Sequence, residues 1–459
     1  MKNTSPPLGL SRRTFLRSAG SAAGSLLILP SGIVRGQGLK PGDKLNVAAI
    51  GMGGQIQGHV SNLLQLGHNV IALCDVDSRQ ITGSQQRHGE GLATAKSYSD
   101  YRVLLEKEKT LDAVVIATPD HWHAPICKAA MAAGKHVYCE KPLTHTIAEA
   151  RELRELSKAS KVVTQTGNQG SASTNLRRSM ELIAADFFGP ISEIHVWHPE
   201  HSWPSGVDRP ATADAVPTEL NWDFWLGGAA VRPYKSEIYH PAKWRGWYDF
   251  GNGSLGDFCC HGFNLPMRAL NLDYPTRIDI SGQGLGKESF AASCTVRYHF
   301  PKRDDRAPVK MVFYTGGDLP PEELTADLRG TFGSLPRTGC LIVGTKGQLQ
   351  SGLWNSDCYV KLNGDKKFVG ADNHPAAKEI PMTIPRANGH LNEWVDACLG
   401  GPKVFADFDH GGHLTEIGLA GIVALRLQKS IDWDGPNMKV PGTPEADQYI
   451  RREGRTDYL

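Results

Sequence analysis

The sequence lacks any cysteine pattern that would hold a metal or staple a small domain. Its nine cysteines, at positions 74, 127, 139, 259, 260, 294, 340, 358 and 398, are odd in number and scattered, without paired metal-ligand spacing. Several sit in strand-like apolar runs, where cysteine acts as a small buried hydrophobe. No disulfide framework and no metal centre is expected. Charge of one sign is lacking too: 50 basic against 48 acidic residues leave a net charge of +2, with no basic block, which weighs against nucleic acid as a partner. Beyond the N-terminal segment no apolar run is long enough to cross a bilayer, and there is no internal repeat or low-complexity tract. A chain of 459 residues exceeds one ordinary core, so two domains are expected.

The first 36 residues have a separate character. Ser11-Arg12-Arg13-Thr14-Phe15-Leu16-Arg17 precedes a mildly apolar stretch from Ser18 to Val34. This is the pattern of a twin-arginine export signal, a receptor-read address rather than a fold element. It implies the twin-arginine translocase as a partner, and a periplasmic protein or one anchored on the outer side of the inner membrane. That route carries folded proteins, which fits reduced, buried thiols.

From residue 43 to about 167, apolar runs alternate with helical patterns. Runs at 45–51, 69–75, 111–119, 135–139 and 162–166 read as five strands, and 54–66, 101–108, 123–133 and 146–160 as helices. Nearly continuous apolar strands between helices mean a parallel sheet covered on both faces. The style changes after Asn168. Residues 191–297 are rich in Pro, Trp and His and read as long irregular stretches. Strand-like runs follow at 294–300, 309–315, 340–344 and 357–362, then helices at 389–399 and 413–428. Residues 168–459 are therefore expected to form an α+β domain with a larger, mostly antiparallel sheet, following an α/β dinucleotide-binding domain over 43–167.

The turn after the first strand, Ile50-Gly51-Met52-Gly53-Gly54-Gln55-Ile56-Gln57-Gly58, carries the first chemistry. Gly51 and Gly53 permit a tight turn and close approach of backbone to a pyrophosphate, and the following helix offers its N-terminal amides. The usual third glycine is replaced by Ile56. Asp75, at the end of the second strand, can accept hydrogen bonds from an adenosine ribose and repel a 2′-phosphate, which favours NAD over NADP. Thr118-Pro119-Asp120-His121-Trp122-His123 caps the third strand at the sheet edge where ligands bind; capping and cofactor contact suit its His-x-His pair better than metal binding. Gly54, Gln55, Ile56, His121 and Gln169 adjoin these motifs and complete the candidate cofactor set.

The fourth strand ends in Glu140-Lys141-Pro142. The proline disfavours helical geometry at Lys141 and removes a backbone donor, so the strand stops and the lysine is presented to the crevice. Beside a positive nicotinamide ring its charged form is disfavoured, and a lowered pKa is expected. Further on, the stretch Gly251–Asn264 carries Asp257, His261 and Asn264 at spacings of four and three, which share one face if helical. Such a face can hold a substrate hydroxyl and accept its proton, or form a satisfied buried polar cluster.

The glycine loop, Asp75, Glu140-Lys141-Pro142 and the Asp257-x-x-x-His261 pair together resemble the Gfo/Idh/MocA oxidoreductases, from about Leu45 to Trp433. The run from Gly246 to Asp257 resembles the exported branch seen in bacteria that digest complex carbohydrates. The resemblance implies a Rossmann domain plus an open-faced sheet domain, NAD or NADP, sugar-like substrates, and sheet-to-sheet dimers or tetramers. Carried over by position, it makes Lys141 and His261 the acid/base pair and Asp257 a partner of substrate or histidine. It places Gly51, Met52, Gly53, Asp75, Thr118, Pro119, His123 and Glu140 on the cofactor. Asn264 stands where other branches carry an acid.

Six of the ten tryptophans (197, 203, 222, 225, 244 and 247) fall in one stretch with Tyr234, Tyr239 and Tyr248. Aromatic faces stack on sugar C–H surfaces, and they also fill cores and interfaces. Lys141, Tyr239, Arg245, Trp247, Asp257, His261 and Asn264 form the candidate substrate set. The pattern His410-Gly411-Gly412-His413 is expected to be a loop and cap before the last helix. Three functions follow: an NAD-dependent oxidoreductase of a sugar, cyclitol or glycoside with tightly held cofactor; an NAD-dependent glycosidase or lyase working through transient oxidation; and a non-catalytic sugar binder.

Overall fold

The computed structural model describes residues 43–199, 203–304, 306–455 and Tyr458; the expected export segment 1–36 lies outside them. Residues 44–459 form one compact unit built on two sheets. Among the described residues no helix is long and apolar enough to cross a membrane.

The first sheet comes from β1 (Asn46–Ile50), α1 (Ile56–Gln65), β2 (Asn69–Cys74), α2 (Ser78–His88), β3 (Lys96–Tyr98), α3 (Tyr101–Lys107), β4 (Ala113–Ile116), α4 (His123–Ala132), β5 (His136–Cys139), α5 (Ile147–Ala159) and β6 (Thr164–Thr166). Its order is β3-β2-β1-β4-β5-β6, all parallel. Side chains alternate between faces as strand geometry requires. Ala48, Ile50, Val114 and Ile116 pack on the side of α3 and α4, and Val47, Ala49 and Val115 on the side of α1. Local chemistry fixes the helix ends. Thr146 and Glu149 close a capping box at α5, and Asp77 caps α2. The sequence reading missed β3, which is three residues long and half polar, so it gives no periodic signal.

After α6 (Thr174–Ala184) comes the second sheet, from β7 (Ile191–His198), α7 (Gly253–Gly262), α8 (Asn264–Ala269), β8 (Arg277–Gln283), β9 (Ser293–Phe300), β10 (Val309–Thr315), α9 (Glu322–Phe332), β11 (Gly339–Gly344), β12 (Gly347–Ser351), β13 (Tyr359–Leu362) and β14 (Val369–Gly370). The chain ends with α10 (His390–Cys398), α11 (Phe408–Leu427) and β15 (Ile431–Asp432). The order is β14-β13-β12-β11-β7-β10-β9-β8-β15, with β7 and β10 parallel and the other neighbours antiparallel. Strands β7 and β8 correct the reading of 191–297 as irregular. One face of the sheet, through Ile194, Val196, Tyr298, Met311 and Phe313, packs on α7, α8 and α11. The opposite face, around Trp197 and Tyr314, meets α9 over part of its width.

The chain's C-terminal third also completes the first sheet. Leu391, Trp394 and Val395 of α10 join the cluster against Val47 and Tyr138, and Phe408 of α11 joins the other face. The His410–His413 pattern is a second correction. Asp407 caps a helix that starts at Phe408, so both histidines lie inside α11. The glycines there serve close packing: a Cβ on Gly411 or Gly412 would meet Thr166 or Arg154 at 2.3 and 2.4 Å. α11 is locked to α5 by Glu416, 1% exposed, whose carboxylate accepts from Arg151 (2.7 Å), Arg154 (2.8 Å) and Tyr274 (2.9 Å). Removing that charge leaves the Arg151 guanidinium without a carboxylate and Arg154 with only the more exposed Asp409, at 3.1 Å. Glu416→Gln is expected to lower stability by about 3 kcal/mol in urea unfolding, with the far-UV spectrum of the folded protein unchanged.

Candidate active site

A cleft of about 600 Å³ runs along the carboxyl edge of the first sheet, with the β1 turn at one end and α7 at the other. The turn is shaped by one residue above all. Gly51 has φ +84°, and a Cβ there would lie 2.7 Å from the Thr118 amide nitrogen. Only glycine allows β1 to turn so close to β4. Helix α1 then starts without a side-chain cap, and Gly53, Gly54 and Gln55 line the cleft. Met52 and Ile56 do not: both side chains are core, and Met52 contributes its backbone N–H, which donates to Asp75 Oδ2 at 2.6 Å. Asp77 N–H donates to Asp75 Oδ1 at 2.9 Å. Burial outweighs these amides and raises the Asp75 carboxyl to about 6.

The β4 end supplies Thr118, Pro119, Asp120 and His123 to the cleft wall. Thr118 Oγ1 is buried without a hydrogen-bond partner among the described residues. The His123 ring nitrogens lie 2.8 Å from the Pro142 carbonyl and 2.9 Å from that of Thr118, tying β4 to the turn after β5. His121 is placed otherwise: its ring nitrogens meet the carbonyls of Phe250 and Trp225 at 3.2 and 2.9 Å, behind the wall. Neither histidine is in a metal-binding group, and no cluster of three or more His, Cys, Asp or Glu able to hold a metal occurs among the described residues.

The Glu140-Lys141-Pro142 turn divides its work. Glu140 Oε1 accepts from His59 Nε2 (2.7 Å) and Gln169 Nε2 (3.0 Å). Its carboxylate fits only because residue 167 is glycine, where a Cβ would sit 2.4 Å from Oε2. Burial opposes the Glu140 charge, and His59 with Lys141 holds the carboxyl below its usual value. Lys141 Nζ reaches across to Asp257 Oδ1 at 2.8 Å and to the Asp257 carbonyl at 3.2 Å. Arg245 Nε stands 3.7 Å from the same Asp257 oxygen.

The chain's own charges act on Lys141 in the direction opposite to the nicotinamide ring from which a fall in its pKa is expected. Burial pulls it down, but Asp257 and Glu140 outweigh burial and hold it above its usual value. Asp257 is lowered: burial raises it, and Lys141 and Arg245 more than reverse that. His261, one turn along α7 on the cleft wall, is pushed down to about 3, first by burial and then by Lys141. The site therefore holds an ammonium–carboxylate pair beside a neutral imidazole.

The structure brings Lys141, Asp257, His261 and Arg245 together with the cofactor residues of the glycine loop, Asp75, Glu140 and Gln169. Other candidates fall elsewhere. Tyr239 and Trp247 are fully packed in an aromatic cluster with Phe250, with ring centroids 5.1 Å apart, and do not line the cleft. Asn264 lies behind the site, donating to Ser171 Oγ (3.0 Å) and accepting from His410 Nε2 (2.9 Å). Among the wall residues that sequence reasoning missed are Asp120, Phe258, Trp354 and His240. Asp120 is 2% exposed, receives the Asn252 amide at 3.0 Å, and is raised well above its usual value by burial and Asp257. Its place in the Thr118–His123 run was the available signal. Phe258 sits 5.7 Å from Lys141 Nζ, Trp354 5.5 Å from the His261 ring, and His240 accepts a place on the wall through its contact with Asp77 at 2.8 Å. Trp354 comes from a distant loop and left no local signal.

The fit to a nicotinamide dinucleotide rests on the glycine turn, the uncapped helix start, the oriented Asp75 carboxylate and the orphaned Thr118 hydroxyl, all on one cleft. Family models agree. The description "Oxidoreductase family, NAD-binding Rossmann fold" matches residues 45–168, and "Oxidoreductase family, C-terminal alpha/beta domain" matches 190–307. The chain belongs to the Gfo/Idh/MocA oxidoreductase family. Two relatives from Shewanella carry glycosyl hydrolase family 109 names. One, from strain ANA-3, is 26% identical over 68% of this chain and 65% of its own length. The other, from Shewanella pealeana, is 32% identical over 31% of this chain and 36% of its own length. The chain thus spans under two thirds of either relative. The WlbA dehydrogenase of Bordetella pertussis, solved with NADH and UDP-GlcNAcA, shares the fold, with a TM-score of 0.59, 17% identity, and coverage of 85% of this chain and 98% of that one.

Asp75 generates a pH prediction. A ribose hydroxyl donates best to the ionised carboxylate, so binding favours loss of the Asp75 proton. Dinucleotide affinity is expected to be level above pH 6 and to fall as pH drops through about 6. Fluorescence titration across pH checks this, and Asp75→Asn is expected to bind more weakly with the step removed.

Proposed function

We propose that this protein is an NAD-dependent oxidoreductase that acts on a ring CH–OH of a sugar, cyclitol or glycoside, with the cofactor held tightly. The observation that carries this reading is the Lys141–Asp257 pair at 2.8 Å beside a neutral His261 on the wall of the dinucleotide cleft. A nicotinamide dinucleotide, when bound, supplies a hydride acceptor. The side chains then handle the proton. The Lys141 ammonium holds the substrate oxygen, and Asp257 keeps that ammonium charged and aimed. Neutral His261 takes the hydroxyl proton. Arg245, Trp244, Phe258 and Trp354 give the wall the mix of donors and aromatic faces that suits a sugar ring.

The export expected from Ser11–Arg17 belongs to the same reading. An exported enzyme meets little free dinucleotide, so the cofactor is loaded in the cytoplasm and the hydride is returned within the site, to a second substrate or to the first. Copies of the chain associate through their large sheets in this reading.

A second reading has its own support in the family 109 names of the two relatives. Oxidation of a ring hydroxyl acidifies the neighbouring C–H, which permits elimination of a leaving sugar; water then adds across the double bond that elimination leaves, and the hydride returns to the carbonyl. This makes the chain an NAD-dependent glycosidase.

Denatured protein is expected to release about one nicotinamide nucleotide per chain. Native protein is expected to convert a member of a sugar and glycoside panel with loss of two hydrogens by mass spectrometry. Lys141→Met should keep the nucleotide and lose about 10²–10⁴-fold in rate. Aryl glycoside cleavage without net reduced nucleotide, and with loss of a C–H label, selects the second reading. Protein that neither carries nor binds a nucleotide sinks both.

A further inference from the structure

A second cavity, of about 330 Å³, lies on the far side of the segment that leads into α7. That volume is at the small end of ligand pockets. Its polar lining is unusual in what it leaves unpaired. Tyr248 is 5% exposed and its hydroxyl has no hydrogen-bond partner among the described residues. Arg452 uses Nη2 on the His121 carbonyl (2.8 Å) and on Glu149 (3.1 Å), while its buried Nε and Nη1 have no partner among the described residues. The Arg426 guanidinium is held between the rings of Tyr248 and Tyr449, at 4.7 and 4.1 Å, and makes no ion pair among the described residues. Native proteins rarely leave this many buried donors in one place without a use.

The histidine on the wall asks for the opposite. His145 Nε2 lies 2.8 Å from the Tyr248 carbonyl, which can only accept, so Nε2 carries the proton. Burial keeps the ring neutral. Nδ1 is then an acceptor, buried and without a partner among the described residues. The charge balance sets the ligand's valence. Asp249 is paired with Arg232, Arg452 with Glu149, and Glu453 is exposed at the rim. One guanidinium, Arg426, remains uncompensated, which suits a monoanion and not a phosphate dianion. Ala229, Leu419 and Ile422 offer an apolar wall to the rest of the molecule.

We propose that this cavity is a second ligand site that binds a small hydroxylated carboxylate. The carboxylate accepts from Arg426, Arg452 and the Tyr248 hydroxyl, and a ligand hydroxyl donates to His145 Nδ1. The site is joined to the cleft through Asn252, which lines this cavity and whose amide donates to Asp120 Oδ2 at 3.0 Å and to the Thr144 carbonyl at 3.1 Å.

Calorimetric titration of the full chain with D-gluconate and D-glucuronate, and with D-glucose as neutral control, tests it. Saturable binding of at least one acid is expected, and it should persist in Lys141→Met. Tyr248→Phe, which removes a hydroxyl that has no partner and so should fold normally, is expected to weaken binding about 10-fold. Arg426→Gln is expected to weaken it by about 10-fold or more. The proposal is overturned if neither acid binds, if glucose binds as well as the acids, or if Tyr248→Phe leaves the affinity unchanged.

Discussion

The structure depends on one buried ion pair. Lys141 stands at the end of a strand of the first sheet and Asp257 on a helix that rests on the second, 116 residues apart in sequence and 2.8 Å apart in space. Burying two charges costs several kcal/mol per ion unless geometry and extra hydrogen bonds offset it. Here the Asp257 carbonyl takes a second contact from Lys141, and Arg245 approaches the carboxylate. Much nearby architecture serves this contact. Pro142 ends the strand, His123 ties the turn to β4, Gly167 makes room for Glu140, and α7 is held against the second sheet by Leu255 and Cys259.

The pair also sets the proton inventory of the cleft. Burial alone pulls the pKa of a lysine in such a wall down. Asp257 reverses that, and the resulting ammonium then suppresses protonation of His261. One residue is fixed as donor and its neighbour as acceptor, by mutual electrostatics and not by intrinsic pKa. At the other end of the cleft the balance is reversed. Asp75 has backbone amides but no cation to offset its burial, and Asp77 adds a like charge, so burial wins and its carboxyl rises to about 6. Asp120 goes further in the same direction because Asp257 adds a like charge to its burial.

Most of the first sheet was legible in the sequence, because parallel strands covered on both faces write near-continuous apolar runs between helices. The short edge strand Lys96–Tyr98 was not, since a three-residue partly polar segment has no period to detect. The second sheet was half legible. β9 and β10 announce themselves as apolar runs, whereas β7 alternates residues between two faces that are both largely buried, and mixes His and Trp with Ile and Val. The site followed the same logic. Motifs contiguous in sequence, such as Glu140-Lys141-Pro142 and Asp257–His261, could be read as units. Tyr239 and Trp247 could not be sorted from Trp225 and Trp244, because all four sit in one aromatic stretch and only three-dimensional packing decides which ring faces the cleft. The upward pull of Asp257 on the Lys141 pKa was hidden for a related reason: that neighbour is remote in sequence.

Two consequences of the fold cross the apparent domain boundary. Helix α10, from the last quarter of the chain, covers a face of the first sheet, and the segment leading into α7 has the cleft on one side and a polar cavity on the other. The Lys141–Asp257 contact fastens these layers, so its coupling is the direct test. Denaturant unfolding of Lys141→Met, Asp257→Asn and the double variant gives that coupling. Asp257→Asn leaves the ammonium without its carboxylate and Lys141→Met leaves the carboxylate with only Arg245, at 3.7 Å; each is expected to cost about 3 kcal/mol, while the double variant should lose less than the sum of the two by more than about 1 kcal/mol. Strictly additive losses would contradict the central role given to this pair.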